Sequence, residues 1–128
     1  MSVSILVDDE TDIAELFRQQ FRREARQGTY VLHFAYSGEE ALDKLAAGIE
    51  PQLIVILSDI NMPVMDGLEL LREIKTRRPD LPVMMVTTYG DDERRRRAGE
   101  YGAVEFITKP VDFNFLRTQL RDLSDAAD

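Results

Sequence analysis

A single α/β domain built on a five-stranded parallel sheet is the fold class that the sequence predicts. Three observations carry this. Five short apolar runs alternate with longer segments of helical periodicity. The middle run, Leu53-Ile54-Val55-Ile56-Leu57, is continuous and rich in β-branched residues, as expected of a strand covered on both faces. Acidic and hydroxyl side chains gather just after the strands, at the edge where open parallel sheets bind ligands.

Each element has its own signal. "VSILV" (3–7) is a short buried strand bounded by acids. Residues 12–26 place Ile13, Leu16, Phe17, Phe21 and Ala25 on one helical face and Arg18, Gln19, Arg22, Arg23 and Arg26 outside, with Gly28 as the stop. "YVLHFA" (30–35) is the second strand. Ser37 with Glu40 three residues on is a capping box for a helix ending at Gly48. After the third strand (53–57), residues 67–78 form a helix with Leu68, Leu71 and Ile74 inward, stopped before Pro79. "PVMMV" (82–86) is the fourth strand, residues 91–102 a polar helix containing Gly99, and "AVEFI" (103–107) the fifth strand. The last helix, 112–123, buries Phe113 or Phe115 with Leu116 and Leu120; residues 124–128 are expected to fray. Strand-helix alternation of this kind implies parallel strands joined by right-handed crossovers.

The bulk numbers narrow the function. A chain of 128 residues with 44% apolar content suits one domain over 1–128, with its core in 1–123. A formal net charge of -8 argues against direct nucleic-acid binding. Cysteine is absent and His33 is the one histidine, which excludes disulfides, thiolate zinc sites and multi-histidine metal sites. No apolar stretch approaches the roughly 20 residues that span a bilayer, and the N-terminus lacks a signal-peptide pattern. A soluble cytoplasmic protein without membrane insertion is expected.

The strand ends hold the chemistry. Asp8, Asp9 and Glu10 follow the first strand, Asp59 and Asn61 the third, Thr87 and Thr88 the fourth, and Thr108, Lys109 and Pro110 the fifth. Any one of these acids is also what a turn or helix cap uses; their concurrence on one edge points to a site. Crowded carboxylates are tolerable only around a cation. Oxygen donors without Cys or His suit a hard ion such as Mg²⁺. Lys109 and Thr87 complete a pocket for a doubly charged tetrahedral oxyanion. The fitting chemistry is phosphoryl transfer to a carboxylate, with Asp59 as nucleophile. "RRRR" (94–97) reads as a solvated helix face and His33 as structural.

With these residues in place, the motifs "ILVDDE", "SDINMPVMDG", "VTTYG" and "FITKP" make essentially the whole chain resemble the receiver domain of two-component response regulators. The resemblance implies a flavodoxin-like (βα)5 three-layer sandwich with strand order 2-1-3-4-5. It implies a phosphorylation-activated switch that takes a phosphoryl group from a sensor histidine kinase or phosphotransfer protein onto Asp59. Such a domain catalyses its own phosphorylation and dephosphorylation and is not a conventional enzyme. Asp9, Asp59 and the backbone carbonyl of Asn61 would bind Mg²⁺ directly, with Asp8 assisting through water. Thr87 and Lys109 would hold the phosphoryl oxygens, Phe106 would be the switch aromatic, and the Lys109-Pro110 bond would be cis. The output face would contain Phe106 and segment 91–101, with monomer and phosphorylation-dependent dimer both open. Asn61 and Tyr89, each two residues past a site residue, are expected to tune the lifetime of the phosphorylated state.

Three departures from the family pattern stand out. The stretch from Asp9 to Gly38 is about one helical turn longer than usual. The segment from Pro51 to Asp59 is about two residues longer, which preserves strand alternation. Ser58 replaces the usual apolar residue and should leave the acid in place, because neighbouring strand residues face opposite ways. Other readings are a Mg²⁺-dependent aspartyl phosphatase, a phosphorylation-independent pseudo-receiver and a flavin module. The first needs a general-acid carboxylate where Asn61 offers an amide. The second is marked by loss of an acid or the lysine, and the third needs a phosphate loop after strand one.

Overall fold

β-branched and aromatic runs form one parallel sheet in a computed structural model that describes residues 3–8, 13–49, 52–60, 67–87 and 92–127. Its strands are β1 (Val3–Asp8), β2 (Tyr30–Ala35), β3 (Leu53–Asp59), β4 (Val83–Thr87) and β5 (Glu105–Thr108), in the order β2-β1-β3-β4-β5. The helices are α1 (Ile13–Gln20), α2 (Arg22–Arg26), α3 (Gly38–Ala47), α4 (Gly67–Arg77), α5 (Asp92–Glu100) and α6 (Phe113–Ala127). Because all pairings are parallel, Asp8, Asp59, Thr87 and Thr108 end their strands at one edge. Fold class and strand order are those expected.

The sheet has a separate core on each face. On one, Ile56, Val83 and Met85 meet Leu42 of α3, Leu70, Leu71 and Ile74 of α4, and Ala98 of α5. On the other, Leu57, Met84 and Val86 meet Phe17 of α1 and Leu116 and Leu120 of α6. Every residue of β3 and β4 is buried, so the two central strands are fixed from both sides. Among the described residues, no helix is long and apolar enough to cross a membrane.

Local signals behave as expected at most boundaries. The Ser37 hydroxyl accepts from the Glu40 amide at 3.1 Å, and Gly48 ends α3 at φ 94°. Half of the capping box is altered: the Glu40 carboxylate turns to the amide of Tyr36 rather than that of Ser37.

Five expectations are corrected. The first helix breaks at Phe21, whose φ of -106° and ψ of 19° separate α1 from α2. Leu16 is 47% exposed, because the aromatic rings of Phe17 and Phe21 already fill the face that it flanks. The third strand runs on through Ser58 and Asp59. Residues 124–127 continue α6 rather than fray, with Leu123 packed on the core just before them. The choice left open in α6 falls to Phe113, which meets the Phe17 ring edge-on at 5.3 Å, while Phe115 is largely exposed. The added length before Asp59 is not a plain extension either. Ser4 pairs with Leu53 but Ile5 with Val55, so Ile54 is an extra residue in β3, a bulge that interrupts side-chain alternation.

Phe21 is fully buried, stacked at 5.8 Å on Phe17 and edge-on to Tyr30 and Phe113. Phe21→Ala is expected to cost about 3–5 kcal/mol of stability, read from urea unfolding. A loss below about 1 kcal/mol would refute a central role for this ring.

Candidate functional site

The site begins with a carboxylate that the sheet delivers to its own edge. Asp59 closes β3 at 4% exposure, and the Lys109 ammonium donates to its Oδ2 at 3.0 Å. Lys109 arrives from the turn after β5, where its own amide donates to the Thr87 carbonyl at 2.8 Å and its bond to Pro110 is cis, as expected. Charge attraction and backbone pairing thus reach across β4 to hold one loop.

Thr87 ends β4, one residue beyond the Val86 that pairs with Asp59. It is fully buried, and its Oγ1 has no hydrogen-bond partner among the described residues. An unsatisfied buried hydroxyl is costly unless something binds there. Between them, Asp59, Thr87 and Lys109 offer a nucleophilic oxygen, an unused hydroxyl and a positive charge, the parts that a phosphoryl group needs.

Of the other expected site residues, Asp8 ends β1 beside Ser58 of β3, so its backbone adjoins the strand that carries Asp59. Asp9, Asn61 and Tyr89 lie outside the described residues. The donor chemistry at this edge fits a hard divalent ion: Asp59 and Asp8 end adjacent strands, and His33, the one histidine, sits within β2. Ser58 is buried beside the acid without displacing it from Lys109.

Two residues missed in the sequence shape the strand exit. Gly67 opens α4 against the end of β3. A Cβ there would lie 2.4 Å from the Asp59 carbonyl oxygen and 2.7 Å from the Ile60 Cα. Only hydrogen fits, so the Asp-Gly pair that reads as a turn signal is a close-packing requirement. Arg94 of α5 reaches back 34 residues to donate from Nη2 to the Ile60 carbonyl at 2.6 Å. Ile60 also donates its amide to the Val86 carbonyl. The backbone just past Asp59 is therefore clamped from β4 and from α5.

The arginine run is consequently not one solvated face. Arg96 bridges Glu93 and Glu100 on the outside, and its hydrogen bond holds Glu93 below the usual carboxylate range. Arg97 reaches Tyr101, and Arg94 turns inward to Ile60. Arg95 lies over the half-buried ring of Phe106, 5.3 Å from its centroid. The Phe106 ring tip is 3.9 Å from where a side chain on Gly99, one turn further along α5, would begin.

Comparison with known proteins agrees with this geometry. The sequence model of the family described as the response regulator receiver domain matches residues 5–121. The C4-dicarboxylate transport transcriptional regulatory protein DctD of Rhizobium meliloti (strain 1021) is 40% identical over 105 residues, covering 82% of this chain and 21% of that protein. The response regulator MprA of Mycobacterium bovis is 32% identical over 123 residues, covering 96% of this chain and 51% of that protein. The chain thus spans about half or less of the length of these relatives. Among solved structures, the response regulator protein TrrA of Thermotoga maritima, in complex with Mg²⁺-BeF, superposes with a TM-score of 0.77. It is 30% identical, covering 96% of this chain and 99% of that chain.

Gly67→Ala forces the β3 exit to shift, since the obstacles are backbone atoms. A stability loss of about 1–3 kcal/mol is expected from chemical denaturation. An unchanged midpoint would show that the strand exit yields freely.

Proposed function

The chain belongs to the response regulator receiver domain family, and from that membership we propose that it is a switch operated by phosphorylation of Asp59. The observation that carries the reading is the Lys109 ammonium 3.0 Å from the buried Asp59 carboxylate, with the unpartnered Thr87 hydroxyl beside them. The donor is a sensor histidine kinase or phosphotransfer protein. A carboxylate oxygen of Asp59 attacks the phosphorus in line with the P–N bond of a phosphohistidine. The O–P bond forms as the P–N bond breaks, and the imidazole leaves with the electron pair and takes up a proton.

The residues gathered at the strand ends divide the work of that transfer. Lys109 offsets negative charge that accumulates on the phosphoryl oxygens. Thr87 donates its unused hydroxyl to one of them. Bound by Asp9, Asp59 and the carbonyl of Asn61, with Asp8 acting through water, Mg²⁺ would neutralise the remaining oxygens. The new charge on Asp59 draws Thr87 inward. Phe106 follows, and the surface around it and α5 is remodelled for a downstream partner.

Incubation of the chain with acetyl phosphate and Mg²⁺ should add one phosphoryl group by intact mass, labile to hydroxylamine. Asp59→Asn should abolish that label. Labelling of the variant at the wild-type rate would sink the assignment.

The lifetime of the phosphorylated state should depend on Tyr89, two residues past Thr87. Neither Tyr89 nor Asn61 is a base at neutral pH, since tyrosine ionises only near about pH 10, and the Tyr89 ring is large enough to shield phosphorus from water. With donor removed, Tyr89→Ala should lose its phosphoryl group faster than wild type. Equal or slower decay would eliminate shielding and leave Tyr89 as a partner-binding residue.

A further inference from the structure

A second feature lies away from the acceptor site, on the β2 edge of the sheet. There a groove of about 470 Å³ runs between β2 and the α1-α2 segment. Its floor is largely apolar, built from Tyr30, Leu32 and Phe34; its rim carries Arg18, Arg22 and Arg26. Those arginines repeat every four residues, one helical face at a rise of about 6 Å per step. The break at Phe21 does not interrupt the stripe, because Phe21 still donates to Phe17 and Ala25 to Phe21. The longer first helical segment, noted in the sequence as a departure from the family, supplies this stretch of rim.

The charges on the rim are unequal in use. Arg18 is engaged: its guanidinium lies 4.3 Å from the Phe34 ring centroid and donates to the Tyr36 hydroxyl and Glu15. Arg22 and Arg26 are exposed and have no ion-pair partner among the described residues. This occurs in a chain with 24 acidic and 16 basic side chains, where carboxylates are in excess. Unpaired guanidinium groups above an apolar floor call for an occupant with carboxylates along an apolar surface. A polyanion such as DNA lacks that apolar surface and would meet the repulsion of a net charge of -8. Strand addition is hindered, since the Phe34 carbonyl is already taken by Lys44. The other flank of α1 is closed by Arg117 of α6, which donates to the Gln20 carbonyl at 2.6 Å.

We propose that this groove docks an acidic amphipathic helix of a partner protein. Carboxylates spaced four residues apart on that helix pair with Arg22 and Arg26, and its apolar stripe covers Tyr30, Leu32 and Phe34. A helix is the occupant that fits because its side chains repeat at the interval of the arginine rim. Docking here does not depend on the phosphorylation reading.

The test uses the full chain and a fluorescein-labelled synthetic helix with glutamates at i, i+4 and i+8 beside a leucine stripe, followed by anisotropy. Saturable one-to-one binding is expected, weakened about tenfold in Arg22→Glu/Arg26→Glu. It should be unchanged in Arg72→Glu/Arg77→Glu, a control pair on α4. In wild type, amide NMR shifts should concentrate in residues 18–34, a readout independent of how the variants fold. Four results would overturn the proposal. One is no binding, and another is equal binding of a peptide of the same composition with its glutamates scattered. A third is equal loss in the control pair, which would indicate general charge attraction. The last is self-association in sedimentation that Arg22→Glu/Arg26→Glu abolishes, which would assign the groove to a second copy of the chain.

Discussion

A carboxylate held almost out of water is the constraint on which the rest of this structure turns. Asp59 at 4% exposure is unfavourable as an ion unless a positive charge reaches it. Of the two strands that flank β3, β1 ends in Asp8 and β4 in neutral Thr87, so the charge comes from beyond β5, on Lys109. That demand fixes how β5 must end. The Lys109 amide is bound to the Thr87 carbonyl, and the chain then turns through a cis proline bond into the approach to α6. Burial of β3 on both faces supplies the rigidity, so that the acid is presented at a set position instead of folding back onto a loop.

Much of this was legible from the sequence because it depends on local pattern. All five strands and their order relative to the intervening helices followed from periodicity, and Asp59, Thr87 and Lys109 from their places at strand ends. What failed depends on contacts between distant segments. Ser58 and Asp59 look like a strand terminator by composition, yet parallel pairing with β4 extends β3 over them. The break at Phe21 has no Pro or Gly to announce it; the ring is held by Phe17, Tyr30 and Phe113, which come from three elements. Gly67 and Arg94 were invisible for the same reason. A glycine after an aspartate already has a sufficient explanation as a turn, and an arginine among four arginines gives no sign of which one faces inward.

The arginine run also explains what kind of element α5 is. Only Ala98 of this helix is buried, so apolar packing anchors it weakly. Its position is set instead by polar contacts, and two of those lead to the end of β3 and to β5. Arg94 grips the carbonyl of Ile60, immediately past Asp59, and Arg95 covers the ring of Phe106. A helix fixed mainly by its core would be indifferent to small movements at Asp59, whereas this one is tied to the backbone that such movements shift.

The register of β4 and β5 supplies the second link between the same two places. Thr87 pairs with Thr108 and Met85 with Phe106, so the site hydroxyl and the aromatic ring stand two rungs apart on one pair of strands. A side chain at Gly99 would begin in ordinary van der Waals contact with the ring tip, at 3.9 Å. The half-buried ring packs on the edge of the core and meets α5 at Arg95 and Gly99, four residues apart on that helix. Rigid strands carry Asp59, and the weakly anchored α5 lies beside them. A charge added at the rigid end has its lowest-cost response at the loose end, because the core beneath β3 and β4 is packed on both faces and cannot yield.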